Sequence, residues 1–141
     1  MNIMFHHMQR DMGGAAAALC AFRTLALTGK CNSRICCLLC LAENSVSKES
    51  TRPDDVLTLY SGKTVEVNNT DAEGRLVLGD GVAYAVKHLS PRCILDIATL
   101  TGAQGIATGQ NHGALYCNSD ALENHIVSCG KASVSVLEWI Y

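Results

Sequence analysis

Asp71 and Glu73 stand one residue apart in "NNTDAEGRL", the stretch Asn68 to Leu76, and Arg75 follows them across a glycine. Two carboxylates at that spacing repel each other, and a single arginine relieves only part of the repulsion. If the loop backbone is extended, alternate positions share a face, so both acids can aim at one point. Their oxygens are hard donors suited to Mg²⁺, Mn²⁺ or Zn²⁺, and a carboxylate has two oxygens with which to bridge a pair of ions. Arg75 keeps its charge and presents a planar fork of donors, which suits a small planar anion or a developing oxyanion. The competing reading is a solvated polar loop whose acids favour the positive N-terminus of the helix that follows.

Other motifs carry less. An EF-hand loop beginning at Asp71 needs a donor at its fifth position and a glycine at its sixth, where Arg75 and Leu76 stand. "SGKT" echoes a phosphate loop, but Leu57 occupies the position of the first glycine. "GAQGIATG" does not match G-x-G-x-x-G. Asn68-Asn69-Thr70 is formally a glycosylation acceptor, with no secretory route expected to use it. His6-His7 reads as a loose terminus rather than a ligand pair. "CCLLC" holds a C-x-x-C, but no second pair completes a tetrahedral site, so the eight cysteines read as buried free thiols of a reducing compartment.

The elements that must position Asp71, Glu73 and Arg75 follow from pattern. "AAAALCAFRTLALTGK" is rich in helix formers, with Leu19, Phe22, Leu25 and Ala26 at helical spacing and Gly29 as its C-cap. "RICCLLCLA" and "CILDIATL" read as fully buried strands. "DVLTLYSGKTVEV" reads as two short strands around Ser61-Gly62-Lys63. A helix is expected from about Leu76 to Leu89, a turn or short helix at "TGAQGIATG", a strand at "GALYC", and a helix from Ser119 to about Cys129. Alternating strands and helices give an α/β class: a partial three-layer α/β/α sandwich with a mainly parallel mixed sheet. Ligands of such sheets sit beyond the carboxyl ends of the strands, so Asp11, the acidic loop and "ATLTGA" are expected to converge.

Composition bounds the function. With 141 residues, 48% apolar and 17% charged, the chain fits a globular domain with a core. A net charge of −2 with dispersed Lys and Arg offers no basic stripe for nucleic acid, and no apolar stretch is long enough to span a bilayer. "MNIMFHHMQRD" lacks the regions of a secretory signal, so a cytoplasmic protein is expected.

"SGKTVEVNNTDAEGRLVL" resembles the signature region of the cytosolic leucine aminopeptidase family, whose hallmark is N-T-D-A-E-G-R-L. "MQRDMGGAAAAL" is similar to that family's second metal-binding segment, "ILDIATLTGA" to its following strand and substrate loop, and "RPDDVL" to a further stretch. The resemblance runs in order over about 8–130, and "LAENSV" and "TGAQGIATG" are closest to the animal "probable aminopeptidase-like" members. It implies a dinuclear metallopeptidase that releases N-terminal residues from peptides, uses two zinc or manganese ions and assembles as a homo-hexamer. By resemblance Asp11 and Asp71 are metal ligands and Glu73 bridges both ions. Arg75 holds a bicarbonate that shuttles protons, and Thr99, Leu100 and Gly102 bind substrate.

The family's first metal-binding segment, with a lysine ligand, an aspartate ligand and a catalytic lysine, lies upstream of the Asp11 equivalent, and "MNIMFHH" supplies neither residue type. Residues 1–141 are therefore expected to form a single partial catalytic domain, with 131–141 an unplaced tail and with exposed sheet edges prone to aggregation. The alternative to a working peptidase is an inactive fragment or isoform that binds metal weakly or pairs with full-length subunits.

Overall fold

A computed structural model describes residues 11–43 and 46–133, together with the backbone of 137–139. His6-His7, the "MQR" before Asp11, the middle of "LAENSV" and the side chains of 134–141 lie outside the described residues. The chain divides into two compact units, Met1–Leu100 and Thr101–Tyr141.

The first unit opens with α1 (Gly13–Thr28), which ends where Gly29 turns left-handed at φ 60°. A hairpin follows. β1 (Val56–Thr58) pairs antiparallel with β2 (Thr64–Glu66), Leu57 opposite Val65. Its turn closes with Leu59 N–H on Lys63 O at 2.9 Å and Gly62 N–H on Leu59 O at 2.8 Å, and Gly62 takes φ 82°, which a side chain would resist. At the open end Asp54 N–H donates to Val67 O and Val67 N–H to Asp55 O, and Val67 is buried. A 3-10 turn (Thr70–Ala72) then runs into α2 (Glu73–Leu89).

The second unit holds α3 (Gln104–Ala107), β3 (Gly113–Leu115), α4 (Asp120–Ala132) and β4 (Leu137–Trp139). Ser119 caps α4 by accepting from Leu122 N–H. Thr108 is buried and ties the α3 loop together, its hydroxyl reaching the carbonyls of Gln104 and His112 while Gln104 Nε2 bonds Thr108 and His112 O. β3 and β4 pair in parallel, so part of the tail that the sequence left unplaced is a strand.

Three expectations need correction. Residues 34–42 and 93–100, expected as buried strands, belong to no ladder among the described residues, whose paired strands form one antiparallel and one parallel pair within the expected α/β class. Leu41 is 83% exposed and Leu95 65%. A strand needs a neighbour with free N–H and C=O groups, and an apolar run specifies burial only when something covers it. What meets these segments is helix: a Cβ at Gly14 would overlap Ala98 and lie 2.6 Å from Ile97 O, and one at Gly81 would overlap Cys40 Sγ. The eight thiols are free, but Cys20, Cys31, Cys36, Cys93 and Cys129 are exposed and the other three half-buried. Most of them share the uncovered apolar runs and helix faces. Finally, α2 begins at Glu73, three residues before the expected Leu76.

Candidate functional site

The acidic stretch is a helix start. Asn69, with extended backbone at φ −144°, accepts from Asp71 N–H at 3.0 Å through Oδ1 and so caps the 3-10 turn. Glu73 is αR at φ −66° and opens α2, with Arg75 in the same first turn. The i, i+2 relation of Asp71 and Glu73 therefore rests on a helical turn, where two residues differ by about 200° about the axis, and not on an extended strand. Both acids lie where backbone N–H groups point outward, which offsets part of their mutual repulsion. Asp71 and Arg75 are exposed and Glu73 is half-buried.

Asp11 is exposed, two residues ahead of α1. The start of that helix is held against the segment preceding Thr101: Gly14 N–H donates to Thr99 Oγ1 at 2.9 Å, and a Cβ at Gly13 would stand 3.3 Å from the same oxygen. Thr99 thus satisfies one of the orphan donors of α1, which has no side-chain cap of its own. The next residue reaches the other segment, since a Cβ at Gly74 would stand 4.0 Å from Leu100 Cδ1. Gly74 lies between Glu73 and Arg75, so Thr99-Leu100 is bonded to the start of α1 and lies near the acidic turn. Gly102 belongs to the second unit, just ahead of α3, with open space where its Cβ would be.

Proximity of segments is not a gathered ligand set. Among the described residues no three His, Cys, Asp or Glu side chains come together closely enough to hold a metal ion. The donor chemistry does fit a hard divalent cation. Asp11, Asp71 and Glu73 offer carboxylate oxygens that, among the described residues, neither ion-pair nor accept a hydrogen bond. Arg75 likewise has no carboxylate partner among them. An apolar groove beside the α1 C-terminus, lined by Phe22, Leu25, Ala26 and Ile35 among others, contains none of these residues. The sequence reading also passed over Asn69 as a cap, although an Asn followed by acids in the first turn is a helix-start signal.

Comparison with known proteins identifies the family. Residues 2–137 match the model of the cytosol aminopeptidase family, catalytic domain. The chain is 59% identical over 124 residues to the human protein named probable aminopeptidase NPEPL1, which covers 88% of this chain and 24% of that protein. It is 52% identical to leucine aminopeptidase 1 of Caenorhabditis elegans, over 90% of this chain and 26% of that one. The crystal structure of an M17 aminopeptidase from Trypanosoma brucei superposes with a TM-score of 0.86 at 47% identity, covering 97% of this chain and 26% of that one. The chain thus spans about a quarter of the length of the curated relatives it matches. Its α/β fold is that of a portion of these catalytic domains, and the chain belongs to the cytosol aminopeptidase family.

Proposed function

We propose that the protein acts as a metal-dependent aminopeptidase, releasing N-terminal residues from peptides by two-metal hydrolysis, and that this chain supplies part of its site. The observation that carries the reading is that Thr99 bonds Gly14 N–H at the α1 start while Leu100 Cδ1 lies 4.0 Å from where a Cβ on Gly74 would stand, so one segment neighbours both the α1 start and the acidic turn. Asp11 and Asp71 would each hold one ion and Glu73 would bridge the two, with zinc or manganese as the ions. Such ions supply Lewis acidity toward water and toward a peptide carbonyl. Arg75, exposed and without a carboxylate partner among the described residues, would hold a bicarbonate that shuttles protons. Thr99, Leu100 and Gly102 would line the path of the substrate backbone.

The remaining parts of the reading rest on the family. They are a single partial catalytic domain across 1–141, assembly into a homo-hexamer, a cytoplasmic location, and no nucleic-acid or membrane partner. Among the described residues no helix is long and apolar enough to cross a membrane.

A second reading is favoured by the absence of a gathered three-donor group among the described residues and by the exposed apolar runs at 34–42 and 93–100. On it the isolated polypeptide is catalytically silent, binds metal weakly or joins full-length subunits. Calorimetric titration with Mn²⁺ and Zn²⁺, followed by leucine release from a chromogenic amide, separates the two. Metal binding that drops roughly tenfold or more in both Asp71→Ala and Glu73→Ala supports the metal assignment. No binding by the parent chain at millimolar Mn²⁺ removes it. Turnover by the isolated chain that both substitutions abolish overturns the second reading.

A further inference from the structure

The hairpin tip and the far half of α2 form a cluster that the site description does not use. Tyr60 N–H donates to Asp80 Oδ1 at 2.7 Å, and the Tyr60 hydroxyl shares a 2.7 Å hydrogen bond with His88 Nε2. The Tyr84 and His88 rings stand 4.5 Å apart, Tyr60 and Tyr84 6.0 Å, and Lys87 Nζ lies 4.9 Å over the Tyr60 ring. Leu59 Cδ1 packs 3.8 Å from the place a Cβ at Gly79 would occupy. Residues Tyr60 and Asp80 are twenty positions apart, and the chain between them runs out along β2, around Asn68–Arg75 and back along α2.

We infer that Tyr60 and His88, with Asp80, are positioning residues: they close the neck of a loop whose far end is the turn carrying Asp71, Glu73 and Arg75. The physical reason is geometric. A helix and a short antiparallel pair are each stiff over this length, so fixing them to each other at the neck fixes the angle at which they meet at the other end. Without the neck, Val67 and its two backbone bonds at the hairpin's open end hold β2, while α2 keeps its packing on Cys40 at Gly81 but loses its polar tie to the hairpin. The aromatic contacts and the cation over Tyr60 add area and direction to the clasp but are solvent-exposed, so their service is orientation more than stability. This use of the clasp in metal binding rests on the function proposed above; its effect on the turn's order does not.

The test is amide hydrogen exchange of the full chain, with Mn²⁺ titration beside it, on Tyr60→Phe, His88→Ala and His88→Gln. Tyr60→Phe removes one hydroxyl, and His88→Gln keeps a side chain able to bond it. The expected result is exchange at Ala72–Val77 raised roughly fivefold in Tyr60→Phe and His88→Ala, the equivalent of about one hydrogen bond, and largely restored in His88→Gln. Amides in the middle of α1 should not change, which separates positioning from general loosening. Mn²⁺ affinity should fall in the same two variants and recover in the third. Exchange at 72–77 that stays at the parent level, or that rises equally in α1, overturns the clasp. Unchanged Mn²⁺ affinity with raised exchange at the turn rejects its role in metal binding. If the parent chain binds no Mn²⁺, the metal reading fails and the exchange data alone decide the clasp.

Discussion

Residues 56–89 and the two extended runs 34–42 and 93–100 belong to the same unit, and the runs are the more densely apolar, yet it is the first stretch that holds together. The first stretch closes on itself. Its hairpin turn, the bonds of Val67, the Asn69 cap and the Tyr60–Asp80 contact all join residues within thirty positions of each other. The extended runs find no strand among the described residues and leave Ile35, Leu38, Leu39, Leu41, Ile94, Leu95 and Ile97 exposed. The acidic turn of an aminopeptidase-like site is therefore a local product of its own sequence. A sheet core depends instead on pairing between segments distant in sequence.

Gly14→Ala strikes where the two kinds of region meet, and it should have the largest effect. A methyl at this buried glycine would overlap the backbone of Ile97 and Ala98, which cannot rotate away as a side chain can. Loss of about 3 kcal/mol in denaturant unfolding is expected, together with loss of the Thr99 hydrogen bond. Gly81→Ala provides the contrast. Its methyl meets only the Cys40 thiol, a movable group, and alanine is the better helix former, so stability should change by less than about 1 kcal/mol in either direction. Equal losses in both variants would mean that 97–99 is no firmer a neighbour than Cys40.

The uncovered runs make a second prediction. Leu41→Lys and Leu95→Lys place charge on side chains that are 83% and 65% exposed, where little packing is lost. Light scattering of the concentrated chain should fall several-fold, with the unfolding midpoint nearly unchanged. A large drop in midpoint would instead show that these leucines are packed in solution.

These contrasts also explain what the sequence could reveal. Gly29 after a periodic run, Gly62 at the hairpin turn and Ser119 before an amphipathic stretch are local signals, and each element they bound is present. The acidic stretch misled by three residues because N-T-D-A-E-G-R has only Ala72 as an apolar position, too little to start a helical period, although Asn69 and its following acids spell a cap. An apolar run such as "RICCLLCLA" states that a segment seeks cover, not that cover is present, which is why thiols expected to be buried are exposed or half-buried. The bond of Thr99 to the α1 start and the nearness of Leu100 to Gly74 were legible only as a topological expectation. The Tyr60–His88 bond, across 28 positions, carries no local signature at all. The motif that identifies the family is local, whereas any gathering of Asp11 with Asp71 and Glu73 joins residues some sixty positions apart.

Asn69→Ala tests the self-contained side of the comparison. It deletes the acceptor for Asp71 N–H and should cost about 1 kcal/mol, seen as faster exchange confined to the first turn of α2. Faster exchange in the 97–100 segment as well would show that the turn is also steadied by the extended run through Leu100.

The smallest effect is expected from Ser119→Ala in the second unit. The cap there accepts from Leu122 N–H at 3.4 Å, longer than the 3.0 Å bond at Asn69, and hydrogen bonds weaken at that length. Asp120 and Glu123 in the first turn, and the Glu123 N–H bond to Ser119 O at 2.9 Å, remain after the substitution and continue to satisfy the helix start. The loss should be about 0.5 kcal/mol, measured as fraying of α4 by exchange at Leu122, with no change at Asn69–Val77. If Ser119→Ala costs as much as Asn69→Ala, cap geometry does not rank these two helix starts, and the local order of the acidic turn is no special property of its sequence.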